Sequence, residues 1–124
     1  MKIAVYDGVQ KDRETAAQLI SEFCKTRGIM AEIAQFSKAD EIIGVFRQYS
    51  FTAVFIGLNS MQGVDTAWIV RKRDKKCPLV IMSRCSDYSL EGYRLKALDY
   101  LLKPPDEQRV CAALDRLSRN MAGG

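Results

Sequence analysis

The sequence contains no histidine, and this absence removes several common kinds of site at once. Zinc centres and imidazole-based catalytic triads usually depend on histidine, so neither is expected here. The four cysteines (Cys24, Cys77, Cys85 and Cys111) are widely spaced and include no Cys-x-x-Cys pair. Without a secretory signal, such a pattern is typical of reduced thiols in a cytoplasmic protein.

Long apolar runs are also missing. The longest, around Ala53–Leu58 and Pro78–Met82, fall far short of the ~20 residues that a membrane span needs. The segment Met1–Asp7 lacks the apolar region of a signal peptide. We therefore expect a cytoplasmic protein without membrane contact. A length of 124 residues suits one domain, which we place at residues 1–121, with residues 122–124 as a tail or the start of a linker.

The net charge of +4 is mild and does not by itself indicate a class of binding partner. Part of it comes from the basic run Arg71–Lys76, in which no aromatic residues are interleaved. This composition favours a solvated helix end, where cations suit the helix dipole, over a nucleic-acid surface.

Apolar periodicity is the strongest positive signal in the chain. Five strand-like runs are predicted at residues 2–6, 29–36, 51–58, 79–83 and 98–102. Five helical patterns alternate with them at residues 10–27, 38–49, 64–73, 89–96 and 106–121. Strict alternation predicts an α/β fold, a doubly wound parallel sheet with right-handed crossovers and helices on both faces.

Four strand ends carry the residues of chemical interest: Asp7, Gly57, Ser83 and Lys103. The last strand stops abruptly because two prolines follow Lys103 and cannot donate to a sheet ladder. Ligands of doubly wound folds bind at the carboxyl ends of the strands. A lysine at that edge usually binds an anion.

The order of these residues, together with the segment Ala-Leu-Asp-Tyr-Leu-Leu-Lys-Pro at 97–104, resembles the receiver domain of two-component response regulators. The sequence of this segment looks most like that of receivers that carry a LytTR-type DNA-binding domain. The resemblance covers residues 2–119 and implies five strands in the order 2-1-3-4-5. It also implies a site where an aspartate ending strand three accepts a phosphoryl group from a sensor kinase, beside Mg²⁺ held by an acidic pair.

Matched position by position, the resemblance makes Ser83 the switch hydroxyl, Lys103 the phosphate-binding lysine and Tyr100 the switch aromatic. Asp7 matches the first residue of the acidic pair. The Lys103–Pro104 peptide bond matches one that is usually cis in the family.

Two substitutions fall at the chemical centre of this resemblance. The acceptor position is Gly57 and the second acidic position is Gly8. A slip in the alignment cannot restore the acceptor, because no acidic residue lies between Glu41 and Asp65. We predict a degenerate receiver that is neither phosphorylated nor an enzyme. It needs no cofactor, and Asp7 alone would hold Mg²⁺ weakly if at all.

The residues leave two functions open. The first is a pseudo-receiver that controls a transcriptional output through protein contacts and needs no sensor kinase. It would pair through the face formed by helix 4, strand 5 and helix 5, and DNA would be bound by an effector domain outside this chain. Polar candidates on that face are Lys96, Asp99, Arg116 and Arg119.

The alternative is a small-anion-binding or purely structural interaction module that uses the emptied pocket at Lys103 and Ser83. The simplest structural interpretation of that pocket is that Lys103 pairs with Asp7 and that Ser83 bonds to the backbone.

Overall fold

A parallel five-stranded sheet forms the centre of the computed structural model, which describes residues 1–123, with side chains as far as Asn120. The strands are β1 Lys2–Tyr6, β2 Glu32–Phe36, β3 Ala53–Gly57, β4 Leu79–Ser83 and β5 Asp99–Leu102. The helices are α1 Gln10–Thr26, α2 Ala39–Val45, α3 Met61–Arg73, α4 Ser89–Arg94 and α5 Glu107–Gly123. The strand order is β2-β1-β3-β4-β5, so the predicted fold class and topology are confirmed.

Two apolar clusters cover the two faces of the sheet. One includes Ile20 of α1 and Leu114 of α5, and the other includes Ile42 of α2 and Ala67 of α3. Every residue of β3 and β4 is buried, as their continuous apolar sequences predict for central parallel strands. Burial on both faces fixes the register and therefore the place of each strand end.

The second strand begins later than predicted, at Glu32 rather than at residue 29. The cause is the end of α1, where Gly28 has a φ of 66°. The amide of Ile29 donates to the carbonyl of Cys24, and the amide of Gly28 donates to that of Lys25. These two bonds form a Schellman cap, which uses Ile29 to close the helix and delays the strand.

The third helix begins earlier than predicted, at Met61 rather than at residue 64. The helical spacing of apolar residues begins at Val64, so residues 59–63 were predicted to be a loop, and Gly63 in the first turn also weakens helix propensity. The structure gives Gly63 a packing role, because a Cβ there would lie 3.3 Å from the carbonyl oxygen of Gly57. The helix thus begins directly behind the end of β3.

The C-terminal helix extends to Gly123, and Gly124 lies outside the described residues. The proposed boundary between a domain at 1–121 and a tail at 122–124 stays a prediction. Among the described residues, no helix combines the length and the apolarity that would be needed to cross a membrane.

Candidate functional site

The carboxyl edge of the sheet brings together the four strand-end residues that the sequence singled out. Tyr6 of β1 pairs with Ile56 of β3, so Asp7 lies beside Gly57 at the carboxyl ends of these two strands. Ser83 pairs with Leu102 in the β4–β5 ladder, and Lys103 follows at once. The Lys103–Pro104 peptide bond is cis, as the family resemblance implied.

Gly57 and Asp7 share one volume. A Cβ built on Gly57 would lie 2.1 Å from Oδ2 and 2.4 Å from Cγ of Asp7. Real Cβ atoms do not approach other heavy atoms so closely. The carboxylate of Asp7 therefore occupies the space into which a side chain at position 57 would project, and the pocket expected to be empty is filled.

Three groups hold the Asp7 carboxylate in this position. Oδ1 accepts hydrogen bonds from the Val9 amide and from Nδ2 of Asn59, both at 2.9 Å. Oδ2 lies 2.6 Å from Nζ of Lys103, and both side chains are 0% exposed. No donor is aligned for a hydrogen bond to Oδ2, so the ammonium compensates it by charge. The predicted pairing of Lys103 with Asp7 is confirmed.

Lys103 has further partners that the sequence reasoning missed. Nζ donates to Oδ1 of Asn59 at 2.8 Å and lies 3.1 Å from Oδ2 of Asp12. Both oxygens of the Asp12 carboxylate also accept from Nη2 of Arg84, at 3.1 Å to Oδ1 and 3.0 Å to Oδ2. We call Asp7, Lys103, Asp12 and Arg84 the pocket network; its two carboxylates balance its two cations.

Asp12 carried a signal that could have revealed its role. It lies four residues before Ala16 and eight before Ile20, so it falls on the buried stripe of α1. A carboxylate on an otherwise apolar helix face needs a partner, because burying an unpaired charge is costly. The stripe therefore places Asp12 inside the fold, although the sequence alone does not name Lys103 and Arg84 as its partners.

Ser83 and Tyr100, which the resemblance matched to switch positions, both form hydrogen bonds with Cys85 in the loop after β4. The Ser83 hydroxyl is buried and accepts from the Cys85 amide at 3.4 Å, which agrees with its structural interpretation. Tyr100 is partly buried, and its hydroxyl donates to the carbonyl of Cys85 at 2.8 Å. Arg84 lies between Ser83 and Cys85 in the sequence and contacts Asp12, so hydrogen bonds connect this loop to α1, β4 and β5.

The residues present do not fit a magnesium site of the receiver type. Gly8 offers no ligand, and Oδ2 of Asp7 faces the Lys103 ammonium at 2.6 Å. Among the side chains described, no group of three or more cysteines, aspartates and glutamates is placed to hold a metal ion. Mg²⁺ needs several oxygen ligands in near-octahedral geometry, which this arrangement does not provide.

The basic run is only partly a solvated surface. Arg71 donates to the carbonyls of Leu95 at 2.9 Å and Cys77 at 2.7 Å, so it fastens α3 to neighbouring segments. Its partial burial lowers the pKa of its guanidinium, although the charges of Cys77 and Asp74 oppose that shift. The remaining lysines and arginine of the run are exposed, as predicted.

The cysteines differ in the access they give to reagents. Burial, with a smaller effect from Asp74, raises the pKa of the Cys77 thiol from its ordinary value of 9.0 to about 12. Cys85 is exposed. At neutral pH we expect iodoacetamide to modify Cys85 in the folded protein at least about tenfold faster than Cys77. Peptide mass mapping over time checks this order, and equal rates under native conditions would contradict it.

Comparison with known proteins assigns the family. The profile of the response regulator receiver domain matches residues 9–115. Because this match spans most of the sequence, the chain belongs to the response regulator receiver family, and the resemblance is confirmed. Protein MrkE of Klebsiella pneumoniae is 25% identical over 112 residues, which cover 89% of this chain and 42% of that protein.

A second relative is the transcriptional regulatory protein YpdB of Escherichia coli, 25% identical over 111 residues, or 88% of this chain and 46% of that protein. The chain thus spans less than half the length of these relatives. Among solved structures, the response regulatory domain of MrkE superposes with a TM-score of 0.85 at 22% identity, covering 100% of both chains. The receiver domain of AraT from Geobacillus stearothermophilus gives 0.80 at 20% identity, covering 98% and 95%.

Proposed function

We propose that this chain is a pseudo-receiver: a receiver domain that is not phosphorylated at position 57 and that signals through protein contacts, without catalytic activity of its own. The observation that carries this proposal is the Asp7 carboxylate above Gly57, 2.1 Å from where a Cβ would lie. Phosphoryl transfer to a receiver needs an acceptor side chain and room for the transferred group. Position 57 offers neither.

The pocket network supports the same conclusion from its charge. A phosphoryl group would have to draw Lys103 away from Asp7 and Asp12, which would leave two buried carboxylates without their ammonium. Separating such a buried pair is strongly unfavourable. The resting arrangement is therefore the one that the charges favour.

An amide NMR titration with Mg²⁺ and then with Mg²⁺ plus beryllofluoride, a phosphoryl mimic, tests this proposal. We expect no saturable shift at Asp7, Ser83 or Lys103, and no mass increment of one phosphoryl group after incubation with acetyl phosphate. Fluoride alone serves as the blank. Saturable shifts that spread from Ser83 to Tyr100 would show that some side chain still accepts the group.

The anion-binding alternative has less support. It needs Lys103 and Ser83 to be available, but the Lys103 side chain is 0% exposed and already contacts two carboxylates. Ser83 is also buried. A purely structural interaction module is compatible with the same geometry, because it makes no use of the pocket as a ligand site.

We propose a transcriptional output for the protein that carries this domain, acting in the bacterial cytoplasm. Support comes from YpdB, whose name describes a transcriptional regulatory protein and which is more than twice as long as the region matched. In this proposal, DNA is bound by an effector domain outside residues 1–124, and sensor kinases are not required. Protein partners then supply the input.

The proposed partner surface is the face of α4, β5 and α5, which we expect to pair with a second copy of the chain. Leu90 and Tyr93 on α4 are large apolar residues that are 56% and 82% exposed. Asp99 and Arg116, two of the polar candidates, form an ion pair within the chain. Exposed apolar groups beside neutralised charges favour association.

Replacing Tyr93 by glutamate is expected to weaken self-association, because the new charge would be buried in the interface. Sedimentation equilibrium should show at least about a tenfold weaker dimer. Tyr49→Glu is the matched control, since Tyr49 is 56% exposed and follows α2, outside this face. Equal weakening by both variants, or by neither, would argue against this surface.

A further inference from the structure

The Lys103 ammonium lies where three oxygen atoms converge. Oδ2 of Asp7 is at 2.6 Å, Oδ1 of Asn59 at 2.8 Å and Oδ2 of Asp12 at 3.1 Å. The ammonium donates a hydrogen bond to Asn59, and its positive charge compensates the two carboxylates at ion-pair distance. The lysine side chain is 0% exposed, so this charge is sequestered from water.

The oxygens come from three separate parts of the chain. Asp7 follows β1, Asn59 follows β3 and Asp12 belongs to the first turn of α1. Two carboxylates and an amide oxygen are hard ligands of the kind that Mg²⁺ and Ca²⁺ bind. Oδ2 of Asp7 is buried and has no aligned hydrogen-bond donor, so the charge of the Lys103 ammonium at 2.6 Å compensates it.

We infer that the Lys103 ammonium is the resident cation of this pocket, in the role that a divalent metal has in phosphorylated receivers. A side chain of the protein thus supplies the positive charge that balances the carboxylates. While this ammonium is present, divalent cations cannot bind to the three oxygens. Removing the ammonium leaves Asp7 without a cation and Asp12 with Arg84 alone, and both carboxylates, with the Asn59 amide oxygen, become available as ligands to a divalent cation. This inference rests on the proposed function and adds that the pocket is independent of Mg²⁺.

Asp12 is the residue that makes this substitution possible. Gly8 cannot supply the second carboxylate of the acidic pair, and Asp12 supplies one from a different element. Arg84 balances the outer side of Asp12, with 61% of its own side chain exposed. Lys103 is therefore shared between two carboxylates.

Thermal unfolding of the wild type and of Lys103→Ala, each in EDTA and in millimolar Mg²⁺ without any phosphoryl donor, tests the inference. We expect the wild-type Tm to be the same in both buffers. The variant should unfold at a lower temperature in EDTA and gain about 10 °C when Mg²⁺ exceeds its Kd about a hundredfold. In the folded variant, Mn²⁺ should broaden the amide signals near Asp7, Asp12 and Asn59.

Two control variants test whether the response to Mg²⁺ comes from the pocket oxygens and from the loss of Lys103 specifically. Lys103→Ala combined with Asp12→Ala should lose the gain from Mg²⁺, because one carboxylate ligand is gone. Lys11→Ala removes an exposed lysine beside Asp12 and should create no response to Mg²⁺.

Each outcome decides the inference. Mg²⁺ binding by the wild type at these residues would overturn it, and so would a folded Lys103→Ala that ignores Mg²⁺. A variant unfolded in EDTA and folded in Mg²⁺ supports it. If Lys103→Ala is unfolded in both buffers, the comparison is repeated with a stabilising osmolyte that folds the variant, and a folded variant that ignores Mg²⁺ overturns the inference. If the wild type binds Mg²⁺ at these residues but does not respond to beryllofluoride, this inference is overturned and the proposed function stands.

Discussion

Replacing Lys103 by methionine is expected to lower the free energy of unfolding by about 3–5 kcal/mol, which is the cost of breaking a buried ion pair by removing one partner. Methionine keeps the length of the side chain and removes its charge. The carboxylates of Asp7 and Asp12 then lose the ammonium that lies within 3.1 Å of both. Arg84 still neutralises Asp12, so the larger part of the loss comes from Asp7.

Urea denaturation at neutral pH measures this loss, and two variants give its scale. Lys11→Met, at an exposed lysine, should change stability by less than about 0.5 kcal/mol. Arg84→Met removes the more exposed cation of the pocket network and should cost about 1 kcal/mol or less, decreasing further in high salt. A loss below about 1 kcal/mol for Lys103→Met would show that the network contributes little to the fold.

Adding a side chain at Gly57 is expected to destabilise the protein without restoring phosphorylation. Gly57→Ala should cost about 1–3 kcal/mol, the usual range for overpacking, because the new Cβ would overlap the Asp7 carboxylate. Gly57→Asp should cost more, since it adds a third carboxylate near a single shared ammonium. We expect it to remain unresponsive to beryllofluoride.

A double-mutant cycle separates the clash from other effects. In an Asp7→Ala background, the cost of Gly57→Ala should fall close to zero, giving a coupling energy of about 1–3 kcal/mol. Gly44→Ala is the matched glycine control: a Cβ there meets nothing within 4 Å, and alanine favours the helix. An additive cycle would mean that Asp7 does not fill the space above Gly57.

The fold was largely predictable because its signals are local. The apolar runs of β3 and β4 and the helix stop at Gly28 lie within short segments, and chain alternation then restricts the topology. The start of β2 was predicted too early because the local Schellman cap at the end of α1 uses Ile29. The start of α3 was predicted too late where a local rule conflicted with tertiary packing. Gly63 lowers helix propensity, but a Cβ at this position would lie only 3.3 Å from the carbonyl oxygen of Gly57.

The strand-end residues of the site could be predicted from the sequence, but the partners that surround Lys103 could not. Strand ends meet at one edge in any doubly wound sheet, so Asp7, Gly57, Ser83 and Lys103 were expected to lie together. The roles of Asp12 and Asn59 depend on where two side chains point across the pocket. Periodicity indicates that Asp12 faces inward, but only the three-dimensional arrangement shows that it shares the ammonium with Asp7.

The single tryptophan of the chain links α3 to α4. Its indole Nε1 donates to Oε2 of Glu91 at 3.1 Å, and Glu91 lies two residues before Tyr93 on the proposed partner face. Indole emission depends on the polarity and hydrogen bonding of its surroundings. Trp68 is therefore an intrinsic fluorophore next to the proposed partner surface. Partner binding to α4 can be followed by its fluorescence without attaching a dye.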